Sequence, residues 1–142
     1  MTSDERIPAF ILRLNEAWQA GRFDELADFY HPDVVLLPPD AGEPIRGREA
    51  VVGSYREFAE AATLIEFQVT GMDVFEFTES GGSSVCHMRF EIEYQTEGQR
   101  FRESGLEVYA MCETSESTQP IILWRSQAVL DAEEIVPSAA SD

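Results

Sequence analysis

The chain has 142 residues, 44% of them hydrophobic, with 10 basic against 27 acidic side chains and a formal net charge of −17. That length and apolar content fit one domain with its own core and exclude a wholly disordered chain. A field of this sign repels phosphate backbones and anionic lipid, and no apolar run approaches the ~18 residues of a membrane span.

We therefore expect no nucleic-acid and no membrane partner. The polar, acidic start MTSDERIP is unlike a signal peptide, which makes a cytoplasmic location the expectation. Every cation is an arginine, so lysine Schiff bases and the phosphate-loop lysine are excluded. Cys86 and Cys112 have no metal-ligand spacing, and His31 and His87 complete no cluster, so neither a metal nor a cofactor is expected.

Ile7, Phe10, Ile11, Leu14, Ala17 and Trp18 recur at helical spacing, Pro8 is placed in the first turn, and Gly21 ends the helix. A short second helix follows, with Asp24 as N-cap and Leu26, Phe29 and Tyr30 buried; His31-Pro32 ends it. Val34 to Leu37 form a short strand that runs into Pro38-Pro39. A third helix, from about Arg48 to Ala62, buries Val51, Val52, Tyr55, Phe58, Ala59 and Ala62.

After Thr63 the period changes to two. Ile65, Phe67 and Val69 alternate with polar residues, and Gly71 marks a bulge. Turns at Ser80–Ser83, Glu97–Gln99 and Glu113–Gln119 separate three further strands: Val85 to Tyr94, Phe101 to Cys112 and Ile121 to Val129. The predicted order is helix, helix, short strand, helix, then four long strands in a meander. This is an α+β domain over residues 1–130, with a curved antiparallel sheet wrapped around three N-terminal helices. Residues 131–142 read as an acidic, frayed tail.

Burial argues for a register in the central hairpin. A three-residue loop, Glu97-Gly98-Gln99, puts Cys86, Met88, Phe90, Ile92 and Tyr94 on one face with Leu106, Val108, Ala110 and Cys112. Met88 then faces Val108 and Phe90 faces Leu106. Cys86 faces Ala110, which leaves both cysteines as small unpaired core residues. The opposite face carries His87, Arg89, Glu107 and Tyr109, with Arg89 beside Glu107; this outer face is the expected homodimer surface.

The segment from Gln19 to Val51 resembles the nuclear-transport-factor-2-like superfamily and, within it, SnoaL-like and ketosteroid-isomerase-like proteins. The matching residues are Ala20-Gly21, Asp33, Pro38-Pro39, Gly42, Pro44 and Arg46-Gly47-Arg48-Glu49-Ala50, and the Trp124–Ala128 end fits the same plan. The resemblance covers roughly residues 5 to 130. It implies a cone-shaped α+β barrel with one open pocket, often in a homodimer. It also implies positions for isomerase chemistry, which uses an aspartate base with tyrosine and protonated aspartic acid donors. In an ungapped comparison the base falls on Pro38, the tyrosine on Leu14 and the acid near Ser104 to Leu106. Neither proline nor leucine transfers a proton, and Glu103 and Glu107 point away in the register above, so that arrangement is expected to be missing.

Asp40 is the candidate catalytic residue, either a base if its loop folds inward or a turn residue in Pro-Pro-Asp-Ala-Gly. The candidate pocket lining is Leu14, Trp18, Tyr30, Pro38, Tyr55, Phe58, Met88, Phe90, Leu106, Val108, Arg125 and Gln127. Arg125 has two readings: a fixed charge in the cavity, suited to an anionic or carbonyl-bearing ligand, or a solvent- or partner-facing residue, because Ile122 and Trp124 blur the phase. Two functions follow. One is a pocket protein for a small hydrophobic molecule, with isomerase-, cyclase- or dehydratase-type chemistry. The other is a non-catalytic ligand-binding or dimerisation domain.

Overall fold

A computed structural model describes residues 3–39, 42–77, 82–113 and 119–135. The candidate base Asp40 lies outside these residues, as does everything beyond Ile135. The first apolar stripe is a helix, α1 (Ser3–Gln19), with Ile7, Phe10, Ile11, Leu14 and Ala17 buried. The N–H of Gly21 donates to the Trp18 carbonyl at 3.2 Å and that of Arg22 to the Ala17 carbonyl at 2.9 Å, the paired closure of a Schellman motif. The helix starts early enough that Pro8 lies in its second turn, where the missing N–H leaves the Asp4 carbonyl without a helical donor.

Helix α2 is one turn (Phe23–Leu26), continued by a 3-10 turn over Ala27–Phe29. Arg22, not Asp24, occupies its N-cap, and Asp24 instead accepts a bond from Arg56 at 2.8 Å. Strand β1 (Tyr30–Leu37) includes His31-Pro32, which the sequence places at a helix end. The register of β1 shifts between Tyr30 and Val35, so Pro32 falls where no ladder donor is required. A two-residue strand β2 (Ile45–Arg46) follows, then α3 (Arg48–Ala61).

The long strands are β3 (Thr63–Phe77), β4 (Ser83–Thr96), β5 (Gln99–Glu113) and β6 (Pro120–Ile135). They complete a six-stranded, curved, unclosed sheet in the order β2-β1-β6-β5-β4-β3, antiparallel except for the β1–β6 pair. Register shifts in β3 at Leu64/Glu66 and Val69/Gly71, and in the β5–β6 pair at Ser104/Gly105 and Ala110/Met111, bend the sheet around the helices. The second shift in β3 is the bulge expected at Gly71. Strand β6 continues past residue 130, with Asp131 and Ala132–Ile135 paired to β5, so the acidic segment is strand as far as Ile135.

The central hairpin differs from expectation by one residue. Met88 faces Glu107, Arg89 faces Leu106, and Thr96 pairs with Gln99 across a two-residue turn, Glu97-Gly98. Both turn residues have positive φ, 51° and 81°, the geometry whose twist matches that of the flanking strands. A one-residue change turns the whole strand over. Gly105, Glu107, Tyr109 and Met111 therefore face the helices and are buried, while Leu106, Val108, Ala110 and Cys112 face outward, half-buried. Placing the more apolar row inside is the natural choice from sequence. It fails because the inner row carries a glutamate whose charge is met from the next strand.

Candidate functional site

Between the concave face and the helices lies a cavity of about 410 Å³. Trp18 of α1, Tyr55 and Phe58 of α3, Phe67 of β3 and Phe90, Ile92 and Tyr94 of β4 form its aromatic and aliphatic wall. Leu36, Pro38, Pro39 and Ile45 close a second side, and Val129 stands at the rim. Polar lining comes from Ser54, Glu103, Glu107, Arg125 and Gln127. The aromatic wall is self-supporting: the Trp18 ring meets Phe67 edge-on at 5.1 Å between centroids, and Phe67 stacks on Phe90 at 5.6 Å.

The buried end of the cavity is a hydrogen-bonded network built from β1, α3, β5 and β6. Arg125 donates from Nη2 to Oε1 of Glu107 at 2.5 Å and from Nη1 to the Tyr30 hydroxyl at 2.8 Å and to that of Tyr55. Gln127 donates to the same Glu107 oxygen at 2.9 Å, and the Tyr109 hydroxyl donates to the other. The hydroxyls of Tyr30 and Tyr55 lie 2.5 Å apart. The guanidinium carbon sits 5.2 Å from the ring centroids of both Tyr55 and Tyr109, and its Nε is buried with no hydrogen-bond partner among the described residues. Burial pushes the Tyr30 phenol up and those of Tyr55 and Tyr109 well above their ordinary range, so all three hold their protons at neutral pH.

Glu103 is a second lining carboxylate, with no ion pair among the described residues. It accepts a bond from the Tyr94 hydroxyl at 2.6 Å, and burial together with that bond pushes the Tyr94 phenol up to about 12. Glu103 and Glu107 share a face four residues apart, so roughly 13 Å of strand separates them.

Of the residues named from sequence, Trp18, Pro38, Tyr55, Phe58, Phe90, Arg125 and Gln127 line the cavity. Leu14, Tyr30 and Met88 are fully buried beside it in the core. Leu106 and Val108 lie on the opposite face, a direct result of the hairpin register. The same flip removes Glu107 and Tyr109 from the outer surface, where the sequence placed them with His87 and Arg89. Arg89 remains outside, exposed and 3.7 Å from Asp73, and His87 packs against the Phe75 ring. Ile92 and Tyr94 are lining residues that the sequence reading left out of the pocket, and Glu103, which it turned away together with Glu107, is brought into the lining by the observed register. The signal for Glu103 and Glu107 was the dipeptide Glu97-Gly98, since a two-residue turn with a glycine at its second position implies the observed register.

Helices segregated to the concave face of a bent meander, with an open-ended cavity between them, define the architecture. The chain belongs to the SnoaL-like domain family, whose sequence pattern matches residues 11–114. No curated protein matches it in sequence. Solved structures share the fold at low identity. A ketosteroid isomerase-like protein from Erwinia carotovora atroseptica SCRI1043 is 12% identical, with a TM-score of 0.75 over 89% of this chain and 95% of the other. An NTF2-like protein from Cytophaga hutchinsonii ATCC 33406 is 14% identical, with a TM-score of 0.75 over 92% and 100%. A protein from Catenulispora acidiphila, solved in complex with S-DNPA, is 19% identical, with a TM-score of 0.70 over 88% and 91%.

Proposed function

We propose that this domain binds a small, mainly apolar molecule in the concave cavity, with one polar group, carbonyl or anionic, seated at the Arg125 end. The observation that carries this reading is the contrast within one cavity of about 410 Å³: an aromatic wall, and at its buried end a single converging set of polar groups. That volume and polarity are those of small-molecule sites. The Catenulispora protein was solved in complex with S-DNPA, which supports use of this fold to hold a ligand.

A neutral naphthyl ketone dye, Prodan, tests the reading. Its emission should shift to the blue and saturate with wild-type protein. Val129→Trp, at a rim position that is 41% exposed, should abolish the shift without unfolding the chain. Absence of saturable binding by the wild type would make the cavity a packing defect.

Glu103 favours a second reading, catalysis of the isomerase, cyclase or dehydratase type. Such reactions need a base, and Glu103 is the lining carboxylate that no described arginine neutralises. On this reading Glu103→Gln loses turnover and keeps affinity.

For the convex face we propose a second copy of the chain as partner. Phe75, Phe77 and Leu123 are 49%, 48% and 39% exposed there, beside half-buried Leu106, Val108 and Trp124. His87 and Arg89 belong to the same surface.

A further inference from the structure

We infer that the Tyr55 hydroxyl is the donor that selects the ligand, and that the group it selects is a neutral carbonyl rather than a carboxylate. This rests on the cavity being a ligand site.

The inference follows from counting protons. Tyr30 and Tyr55 both accept a bond from Arg125 and lie within hydrogen-bond distance of each other. Two hydroxyls hold two protons, and the bond between them uses one. If Tyr55 donated to Tyr30, the Tyr30 proton would be left inside a fully buried side chain with no further hydrogen-bond acceptor among the described residues. Tyr30 must therefore donate to Tyr55, and the Tyr55 proton is left to point into the cavity that Tyr55 lines.

Most of the other lining donors are already committed. Trp18 donates to Asn15 at 2.8 Å, Ser54 to the Val51 carbonyl at 2.6 Å and Tyr94 to Glu103. Arg125 serves the two phenols and Glu107 through Nη1 and Nη2, and its Nε, unpartnered among the described residues, is buried out of contact with the open cavity. Gln127 keeps one amide hydrogen after its bond to Glu107. The Tyr55 O–H differs from that amide in being polarised by a guanidinium and a second phenol on its own oxygen, which strengthens it as a donor.

Charge decides what it donates to. Of the two sequence readings of Arg125, the one that put it in the cavity made it a lone fixed cation, but Glu107 neutralises it inside the protein. With Glu103 the lining carries a formal charge of −1, within a chain of −17. An incoming carboxylate meets no uncompensated cation there and must still be desolvated. A ketone or aldehyde oxygen accepts the Tyr55 proton without that cost.

Three ligands of one shape separate the possibilities: acetophenone, α-methylstyrene and benzoate, titrated by calorimetry or protein NMR. Tyr55→Phe should weaken acetophenone by roughly 5–10-fold, the loss of one hydrogen bond, and leave α-methylstyrene within about twofold. Tyr30→Phe should leave acetophenone within about threefold, because Tyr55 keeps Arg125 and its own proton. Benzoate should bind more weakly than acetophenone. In the wild type, the infrared carbonyl stretch of bound acetophenone should fall below its value in hexane, a readout that needs no variant. If none of the three binds, the pocket reading fails and this inference with it. If they bind but Tyr55→Phe affects ketone and alkene alike, or benzoate binds tightest, or the stretch is unshifted, the pocket stands and the assignment of Tyr55 is overturned.

Discussion

Removing the guanidinium of Arg125 leaves Glu107, whose side chain is only 6% exposed, as a carboxylate bonded to one phenol and one amide. Arg125→Met should therefore destabilise the domain by about 3–5 kcal/mol in urea unfolding. Glu107→Leu combined with Arg125→Met should recover a good part of that loss, because an apolar pair carries no stranded charge. A single variant as stable as wild type would show the pair to be solvated. The inward direction of Arg125 was half-legible in the sequence. Met111 pairs with Ile122 and Ala110 with Trp124, so Leu123 is the extra residue of a bulge. The alternation breaks there, which is why Ile122 and Trp124 both looked like core residues while belonging to opposite faces. The tyrosine, arginine and glutamine partners of the buried glutamate lie on β5 and β6, the two phenols that Arg125 also serves lie on β1 and α3, and no period in a single strand announces them.

Helices were the most readable elements, because α1 and α3 each bury one stripe and end at a glycine or before a run of strand residues. The β4–β5 hairpin was the least readable, and local turn chemistry decided it against the apolar pattern. Glu97→Asn should raise stability by about 0.5–1 kcal/mol, since asparagine tolerates the φ of 51° at little cost. A three-residue loop would show no such gain, so chemical denaturation of this variant tests the register itself. Gly105→Ala tests the inner face. A Cβ there would lie 2.6 Å from the Ala128 carbonyl oxygen and 2.6 Å from the Phe90 ring. The variant should lose about 1–3 kcal/mol or more, and Phe90→Leu should not restore it, because the backbone contact stays.

The same hairpin carries a pH-dependent clamp. Glu93 of β4 accepts bonds from Arg100 and from Arg102, the latter at 2.8 Å, and those two partners hold its carboxyl below the usual range. A depressed folded-state value means the stabilisation is present above the unfolded value, near 4.3, and is lost as pH falls through the folded one. Thermal midpoints of wild type and Glu93→Gln should therefore differ at pH 7 and converge progressively as pH falls below about 4. The difference between the two proteins is the quantity to follow, since protonating other acids also relieves repulsion across the chain. A difference that stays constant as pH falls from 7 until the chain unfolds in acid would mean that Glu93 acts by packing alone.

At the scale of the whole molecule, 27 acidic residues against 10 arginines set the chain against its own copies, while the convex sheet face offers them Phe75, Phe77 and Leu123. Both effects act on the proposed dimer, and they respond differently to salt. Repulsion between two bodies of charge −17 is screened over roughly 8–10 Å at physiological ionic strength, whereas burial of apolar side chains is not weakened by salt. Mass measured by light scattering should accordingly rise towards that of two chains between about 10 mM and 300 mM NaCl at fixed protein concentration. Leu123→Arg, which puts a charge in the centre of the apolar face, should keep the protein at the mass of one chain at every salt concentration. It should leave Prodan binding intact, because Leu123 is not among the residues lining the cavity. A wild type that stays at single-chain mass throughout would remove the second copy as the partner of that face and leave the concave cavity as the surface where function is to be sought.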